Sequence, residues 1–294
     1  MCDRIKVNAV NEYSINTWCC SNHFLKIHMT LAICTIQRDR GPWIREWIEF
    51  HKIVGFDKFY IFLHNCTDNS SEVVSELSKK YDITTFIVSN DVIRPQLAAY
   101  QYCYQHFGDL HDWIAFIDGD EFLFSPNEIS VKPILNHFEQ YNLSALGVYW
   151  LCFGSSNHIT EPVGLITDNY RYRAPFNFGN NSHIKSIVKG GQKSNFSVLN
   201  NSHYFQTSNG TFDTNLRPII HGYTNNVPCH DKLIINHYVT QSREYFDKFK
   251  KLSGGADTSP LAVRTEDWWL AHDINEVFDN SLSHLKSLIL SQCI

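Results

Sequence analysis

In Trp113-Ile114-Ala115-Phe116-Ile117-Asp118-Gly119-Asp120-Glu121-Phe122-Leu123, a short apolar run leads directly into two closely spaced carboxylates. The run from Trp113 to Ile117 is typical of a buried strand. In open α/β sheets, ligands bind beyond the carboxyl ends of the strands. An isolated D-x-D triplet is most often a solvated turn, but its position after a strand favours a ligand site at Asp118 and Asp120.

Three further strand patterns precede this run and alternate with helical patterns. Strands are predicted at 31–36, 59–63 and 84–88, and helices at 42–54, 70–80 and 95–106. The first helix has Pro42 in its first turn and Gly55 after its last residue. This alternation implies right-handed crossovers, and it predicts an α/β fold with a mainly parallel, Rossmann-like sheet and helices on both faces.

The pattern becomes less regular after Ser125. Strands are predicted at 146–153, 184–188 and 233–238, and a helix at 242–251. Asn-, Ser- and Gly-rich stretches separate them, and the segment 177–226 is the most loop-like part of the chain. Because loops on a rigid sheet often carry recognition residues, specificity is expected to reside in this half.

The length of 294 residues suits one large α/β domain with a substantial core. We predict a single domain over 29–294, divided into halves at 29–125 and 126–294. Residues 1–28 precede the first patterned segment. They are predicted to be an N-terminal extension, either a flexible arm or the product of an upstream misassigned start.

Composition and charge exclude several classes of protein. The formal net charge is −5, so no overall positive field attracts nucleic acid, and a phosphate-bearing ligand needs local cations. No stretch approaches the ~20 apolar residues of a membrane span, and 1–28 lacks the apolar core of a signal peptide. The nine cysteines show no paired CxxC spacing, which favours a reducing compartment. A cytoplasmic, membrane-peripheral location is therefore expected.

The acidic triplet suits a hard divalent cation. Two carboxylates separated by one small residue offer the oxygen ligands that Mg²⁺ or Mn²⁺ prefers. Gly119, with no Cβ, allows close backbone approach. A metal-binding role for Asp118 and Asp120 is therefore the chemical interpretation of the triplet.

Several segments, in one order, resemble glycosyltransferase family 92 and its family 2-like bacterial relatives. Besides 113–123, the segments that carry the resemblance are Arg38-Asp39-Arg40-Gly41-Pro42, Glu46-Trp47-Ile48-Glu49-Phe50-His51, Gly55-Phe56-Asp57-Lys58-Phe59-Tyr60-Ile61, Asn65-Cys66-Thr67-Asp68-Asn69, Phe153-Gly154-Ser155-Ser156, His183-Ile184-Lys185-Ser186 and Asn236-His237-Tyr238-Val239-Thr240-Gln241-Ser242. The resemblance runs from about 31 to about 251. It implies a GT-A fold, a divalent metal, a nucleotide-sugar donor that is often UDP-galactose, and inversion at the anomeric carbon.

The resemblance also implies roles for single residues. Asp118 and Asp120 match the metal-binding triplet, and Asp68 lies in the segment that reaches the nucleotide. His237 matches a His-Tyr element and, as a neutral imidazole, is expected to ligate the metal or to contact the diphosphate. Two departures stand out: many relatives have Lys-Asn-Glu-Gly where this chain has 38–41, and Gly119 replaces a commoner valine.

Other candidate residues are assigned with alternatives left open. The substrate-binding candidates are Arg38, Asp39, Asn65, Asp68, Gln96, Asp118, Ser155, Lys185 and Trp269, and the metal candidates are Asp118, Asp120 and His237. The cluster of Trp268 and Trp269 with Asp267 and His272 is expected to stack a sugar ring on an aromatic face, with core packing as the role of at least one of the two tryptophans. The general base of an inverting transfer is assigned to Asp231, with Glu161 and Asp273 as alternatives and His158 and Glu266 also open.

These observations predict a metal-dependent glycosyltransferase that uses Mn²⁺ or Mg²⁺, a UDP-sugar donor and a glycan or glycolipid acceptor, and that builds a surface polysaccharide or glycolipid. Two other functions stay open. One is a metal-dependent phosphohydrolase, which also places D-x-D at a strand end but usually has a hydroxyl residue soon after it. The other is a catalytically silent carbohydrate-binding protein of the same fold.

Overall fold

Four parallel strands form the first half of the central sheet. The protein is described by a computed structural model that covers residues 5–7, 29–198, 201–253 and 263–292, with the backbone alone for 5–7 and 253. The strands are β2 (Leu31–Gln37), β3 (Lys58–His64), β4 (Asp82–Val88) and β5 (Trp113–Phe116), which follow a short β1 (Ile5–Val7). Their order is β1-β4-β3-β2-β5, and β1 is antiparallel to β4. The parallel half of the sheet is therefore confirmed.

Helices cover both faces of these strands. Alternate residues of β2 face opposite sides: Leu31 and Ile33 join the core beneath α1 (Gly41–Ile53) and α2 (Ser70–Leu77), whereas Ala32 and Cys34 join the core beneath α3 (Pro95–Phe107). This alternation follows from the two-residue period of a strand. The predicted α/β fold class, with helices on both sides of the sheet, is confirmed.

The second half of the sheet is mixed and splits at one strand. Its long members are β6 (Glu121–Phe124), β7 (Ala145–Cys152), β9 (Ile184–Lys189) and β12 (Ile234–His237). Strand β9 lies antiparallel between β5 and β7. The second half of β7 pairs with β12, which in turn lies antiparallel to β6 with His237 opposite Glu121. This register brings the end of β12 to the turn that follows β5.

Shorter elements complete the described part of the chain. They are α4 (Lys132–Phe138), α5 (Ile166–Asn169), β8 (Tyr172–Arg173), β10 (Thr211–Phe212), β11 (Pro218–Ile219), α6 (Arg243–Tyr245), α7 (Lys251–Ser253), α8 (Glu266–His272), β13 (Val277–Phe278), α9 (Lys286–Gln292) and 3-10 turns at Gly108–Leu110, Gly179–Ser182 and Ser283–Leu285. A π-helical turn, Phe246–Lys250, joins α6 to α7. The single regular helix predicted at 242–251 is therefore interrupted by a wider turn.

One hydrophobic cluster extends from Leu31 in β2 to Ile289 in α9, so both halves share a core. The predicted extension, 1–28, lies outside the described residues except for β1, which adds an edge strand beside β4. Within the described residues, every helix is too short or too polar to cross a bilayer.

Candidate active site

A cavity of about 860 Å³ opens where the strands of both halves end. Its floor is the turn 118–120. One side, the N-terminal wall, is formed by 36–40 and 90–96. The second side, the sheet wall, carries Trp150, Cys152, Asn180, His183, Ser202, His203, His237 and Val239, and the third, the C-terminal wall, carries Tyr245, Lys248, Phe249, Lys250, Leu252, Arg264, Trp268 and His272.

The carboxylate of Asp118 is held from behind by three side chains. Its Oδ1 accepts hydrogen bonds from Gln96 Nε2 and from Tyr100 OH (3.1 Å), and it pairs with Lys185 Nζ at 2.9 Å. Lys185 is fully buried and does not line the cavity. Lys185 therefore positions Asp118 in this structure, whereas Gln96 lies on the cavity surface as well.

Backbone contacts fix the turn that carries the two acids. Trp47 Nε1 donates to the carbonyl oxygens of Asp118 (3.1 Å) and Glu121 (2.8 Å), and Asp118 N donates to Glu121 Oε2 at 2.8 Å. Burial raises the pKa of Glu121 well above its usual range, and the charges of Asp118 and Asp120 raise it further against the lowering effect of Lys185. Glu121 therefore supports the floor of the cavity from within the core.

Asp120 lies between three positive or polarisable groups. Its Oδ1 is 3.7 Å from His237 Nε2, and its Oδ2 forms an ion pair with Lys250 Nζ. Burial alone raises the pKa of Asp120, but Lys250, His237 and Arg40 outweigh it and hold that pKa well below its usual range. Burial also lowers the pKa of His237. An ionised carboxylate thus faces a neutral imidazole.

Two arginines in the turn after β2 have different roles. Arg40 is 5% exposed and donates to Gly119 O (3.0 Å), to Tyr245 OH (2.9 Å) and to Gln241 Oε1. Arg38 lines the cavity, and its side chain is 43% exposed. Arg40 therefore ties the floor to the C-terminal wall, and Arg38 is the more exposed arginine of this turn.

The neighbouring acids of the N-terminal half are occupied by backbone groups. Asp39 Oδ1 accepts from Thr67 N (2.6 Å), and Asp68 accepts from Gly41 N (2.7 Å) and Ser70 N (2.9 Å), at the starts of α1 and α2. Asp39 lines the cavity, whereas Asn65 and Asp68 do not. In the part of the chain that the structure describes, the group of three possible metal ligands within 4.8 Å of one another is Asp39, Cys66 and Asp68.

The sheet wall is built around one indole ring. Trp150 stacks on His183 (centroids 4.8 Å apart) and contacts the rings of His237 (4.2 Å) and His203 (5.1 Å). Backbone carbonyls accept from two of these histidines: Asn180 O from His183 Nδ1 at 3.0 Å, and Ile184 O from His203 Nδ1 at 2.9 Å. Each bond leaves Nε2 as the nitrogen that carries the lone pair.

The two adjacent tryptophans of α8 differ in their access to the cavity. Trp268 lines the cavity and stacks on His272 with centroids 4.0 Å apart. Trp269 is buried and packs against Phe246 (4.9 Å). The ring that faces the cavity is therefore that of Trp268, whereas the predicted substrate-binding residue Trp269 lies in the core.

The predicted general bases do not line this cavity. Asp273 accepts hydrogen bonds from the backbone N and hydroxyl of Ser155, and Glu161 accepts from Ser242 Oγ and Tyr170 OH. Asp231 pairs with the adjacent Lys232 at 3.1 Å. The other two open candidates, His158 and Glu266, also lie outside the cavity lining.

The structure thus brings together Arg38, Asp39, Gln96, Asp118, Asp120 and His237 around one cavity. It adds residues that sequence analysis missed. His183 had a signal, because it begins one of the segments that resemble the family, yet only Lys185 was taken from it. Arg40 also lies in one of these segments, but its position depends on contacts distant in sequence. Lys250 had no signal beyond its charge, since its position depends on a π turn.

The residue types at the floor suit a divalent metal. Mn²⁺ binds carboxylate oxygens and neutral imidazole nitrogens, and Mg²⁺ binds carboxylate oxygens. Asp120 Oδ1 and His237 Nε2 already face each other, and His237 Nδ1 is buried with no hydrogen-bond partner in the described part of the chain. Among the described residues, the ligand atoms of Asp118, Asp120 and His237 do not all lie within 4.8 Å of one another. By residue type, these three side chains fit a divalent cation.

Comparison with known proteins identifies a family. The family model of glycosyltransferase family 92 matches residues 28–277. A glycosyltransferase family 92 protein of Oryza sativa subsp. japonica is 26% identical over 284 residues, which cover 89% of this chain and 45% of that protein. A glycosyltransferase family 92 protein of Ricinus communis is 27% identical over 223 residues, which cover 74% of this chain and 37% of that protein. The chain spans less than half the length of these curated relatives.

Among solved structures, S. aureus TarS aligns with a TM-score of 0.33 and 13% identity over 55% of this chain and 47% of that one. A likeness at this level carries no conclusion about function. The family assignment therefore rests on the family model and the two plant relatives, which agree with each other.

Proposed function

The chain belongs to glycosyltransferase family 92, and from that membership we propose that it is a metal-dependent hexosyltransferase. Its donor is a UDP-sugar, with galactose as the hexose that the family resemblance favours. Its acceptor is a glycan or glycolipid, and transfer inverts the anomeric centre. The observation that carries the proposal is the cavity floor, where Asp120 Oδ1 and His237 Nε2 face each other at 3.7 Å.

Asp118, Asp120 and His237 are the residues that would hold the cation. When bound, a divalent cation stabilises the negative charge that develops on the departing diphosphate. Lys185 keeps Asp118 oriented, and Arg40 fixes the carbonyl between the two acids. Because these supporting contacts come from buried side chains, the ligands lose little conformational entropy when a cation binds.

Local positive charge supports the binding of an anionic donor. The whole chain carries a net charge of −5, so a diphosphate gains nothing from the overall field. Arg38 presents a guanidinium on the N-terminal wall, and Arg264 presents another on the C-terminal wall. One guanidinium group can donate two parallel hydrogen bonds to two phosphate oxygens. We therefore assign the diphosphate to the space between these walls, above Asp118 and Asp120.

His183 is the general base of this proposal. Inverting transfer requires a base on the acceptor side, and among the described residues of the sheet wall none is Asp or Glu. His183 and Lys185 are two residues apart in an extended segment, so their side chains lie on the same face of it. Because Lys185 pairs with Asp118, this is the face toward Asp118. His183 Nδ1 is engaged with Asn180 O, and burial lowers the pKa of His183, which leaves Nε2 unprotonated at neutral pH.

The neighbouring histidine is less suitable. Burial, aided by the charge of Lys185, lowers the pKa of His203 to about 3. So weak a base removes a proton poorly near neutral pH. His183 is therefore preferred to His203, and also to Asp231, Glu161 and Asp273, which lie outside the cavity.

Aromatic faces on two walls support a sugar-binding role. Trp268 lies on the C-terminal wall and Trp150 on the sheet wall. Indole rings bind the apolar faces of sugars and offer a polar N–H at their edge. We assign Trp150 to the acceptor, because it contacts His183, and Trp268 to the donor side.

The test is sugar transfer by the whole chain, with UDP- and GDP-sugars, with and without Mn²⁺. The proposal expects release of UDP that requires Mn²⁺ and is lost in Asp120→Asn, while the exposed Asp82→Asn on β4 serves as the control. Release of inorganic phosphate without sugar transfer would identify a phosphohydrolase instead. Binding of sugars with no turnover under any condition would identify a silent carbohydrate-binding protein.

A further inference from the structure

Each acid of the floor has its own lysine, and the two lysines differ in access. Lys185, paired with Asp118, is fully buried and does not line the cavity. Lys250, paired with Asp120 Oδ2, lines the cavity, and its side chain is 12% exposed. One ammonium is therefore fixed inside the protein, and the other lies at the cavity surface.

We propose that Lys250 forms an ion pair with Asp120 in the free protein, and that its side chain moves to pair with the donor diphosphate when metal and donor bind. The inference rests on the proposed function, because it takes Asp120 as a metal ligand. It adds a donor-binding residue that the metal-binding triplet does not include. It also makes Lys250 a competitor of the metal when the donor is absent.

Charge dictates the exchange. The two oxygens of Asp120 face different partners, with Oδ1 toward His237 and Oδ2 toward Lys250. A divalent cation at this carboxylate repels an ammonium ion on the neighbouring oxygen. The charge of Lys250 also acts on His237 and His272, and the charge of Arg40 acts on Asp120. An added cation therefore destabilises the resting position of Lys250, while a diphosphate supplies new anionic oxygens for it.

The backbone at Lys250 is fixed, so the exchange is a movement of the side chain. Arg264 Nη1 donates to Lys250 O at 2.8 Å, and the Arg264 guanidinium lies over the Trp268 ring at 5.2 Å. The π-helical turn Phe246–Lys250 ends at this residue, and such turns are frequent at functional sites. A lysine has a four-carbon stem and three rotatable donors, which suits a change of partner.

The π turn also explains why this lysine, and not its neighbours, reaches Asp120. Lys251 begins α7, pairs with Asp247 at 3.8 Å and does not line the cavity. A turn that is wider than an α-helical turn shifts the following side chains around the axis. Lys251 has the same charge as Lys250 and is the next residue in the chain, so substitution of Lys251 serves as the control for substitution of Lys250.

The test is calorimetry on the whole chain and on Lys250→Met, Lys250→Arg and Lys251→Met. Mn²⁺ is titrated alone, and UDP is titrated at saturating Mn²⁺. The proposal expects Lys250→Met to bind Mn²⁺ more tightly and UDP more weakly, each by about tenfold, the factor that corresponds to one charge-assisted hydrogen bond. Lys251→Met is expected to match the original protein in both titrations, and Lys250→Arg to recover UDP binding.

Weaker or unchanged Mn²⁺ binding in Lys250→Met would overturn the proposal, and so would unchanged UDP binding. The conservative Lys250→Arg keeps the test decisive if the methionine variant folds poorly. Failure of the proposed function is measured separately on the original protein, which would then bind no UDP at saturating Mn²⁺ or would release inorganic phosphate without sugar transfer. In that case the inference falls with it.

Discussion

Gly119 lies against the side chain of Gln37, and a Cβ atom at position 119 would stand 2.8 Å from Gln37 Cδ. Gln37 ends β2, is 3% exposed, and has a carboxamide with no hydrogen-bond partner among the described residues. The glycine therefore makes room for a buried glutamine beneath the turn that carries Asp118 and Asp120. The two positions form one packing unit.

Gly119→Val is accordingly expected to lower the free energy of unfolding by about 1–3 kcal/mol, because it overpacks this site. Gln37→Ala in the same chain removes the atoms that would clash, so the double variant should regain most of the loss. Urea unfolding of both single variants and the double variant measures the coupling. Additive effects of the two substitutions would show that the residues do not compete for space.

His183→Gln is expected to lower kcat by about 10²–10⁴-fold with little change in KM for the donor, because it removes the proposed base. The acidic limb of the pH profile of kcat should disappear in the variant. The charged and titratable groups near His183 that shape this limb are Lys185, His203, His237 and Tyr223. His203→Gln, on the same wall, serves as the comparison. Equal losses in both variants, or an unaltered pH profile, would contradict the role of His183.

His51 makes stability depend on pH in the acid range. Its Nδ1 donates to Trp47 O at 2.7 Å, and its Nε2 accepts from Leu123 N at 3.2 Å, so the folded protein needs the neutral ring. Burial lowers its pKa from 6.5 to about 3. The stability that this group contributes is therefore complete above pH 6.5 and is lost as pH falls toward 3.

Relative to His51→Phe, the original protein should lose about 1.4 kcal/mol of unfolding free energy per pH unit below 6.5. Urea unfolding at pH 7.5, 6 and 5 measures the difference between the two proteins. A difference that stays constant over this range would show that His51 is not held neutral by the fold.

Glu46 should produce the opposite dependence on pH. It accepts hydrogen bonds from Ile166 N (2.6 Å) and from Thr167 N (3.0 Å), and so holds α5 against α1. Burial, opposed by these hydrogen bonds and by Arg40, raises its pKa from 4.5 to about 7. The folded state therefore binds the proton more strongly than the unfolded state, and stability is lost as pH rises from 4.5 through 7.

Compared with Glu46→Gln, the original protein is expected to lose up to about 3 kcal/mol of unfolding free energy across this window. Unfolding curves of both proteins at pH 5, 6, 7 and 8 provide the measurement. If the original protein instead gains stability relative to the variant as pH rises, the carboxyl group has a lowered pKa and the burial argument is wrong.

The sequence predicts the parallel half of the fold well, because strong local signals coincide there. Strands β2 and β5 are mostly apolar, fully buried runs, and each is followed by polar residues. A buried parallel strand has this pattern because both of its faces are covered. Local patterns alone therefore suffice to place Asp118 and Asp120 at the end of a strand.

The rest of the site depends on contacts that local patterns do not encode. His237 reaches Asp120 because β12 pairs with β6 in a register that sets His237 opposite Glu121. Lys250 reaches the same carboxylate through a π turn, which a 3.6-residue period does not predict. Arg38 and Arg40 are equivalent in a turn without periodicity, and tertiary contacts alone bury Arg40.

The most direct test of the central claim is anomalous diffraction from crystals of the whole chain soaked with UDP and Mn²⁺. We expect an anomalous peak between Asp120 Oδ1 and His237 Nε2, about 2.1 Å from the carboxylate oxygen, a distance typical of a small hard cation, with UDP beside it. A peak at Asp39, Cys66 and Asp68 instead, or UDP bound with no Mn²⁺ near Asp120, would contradict it.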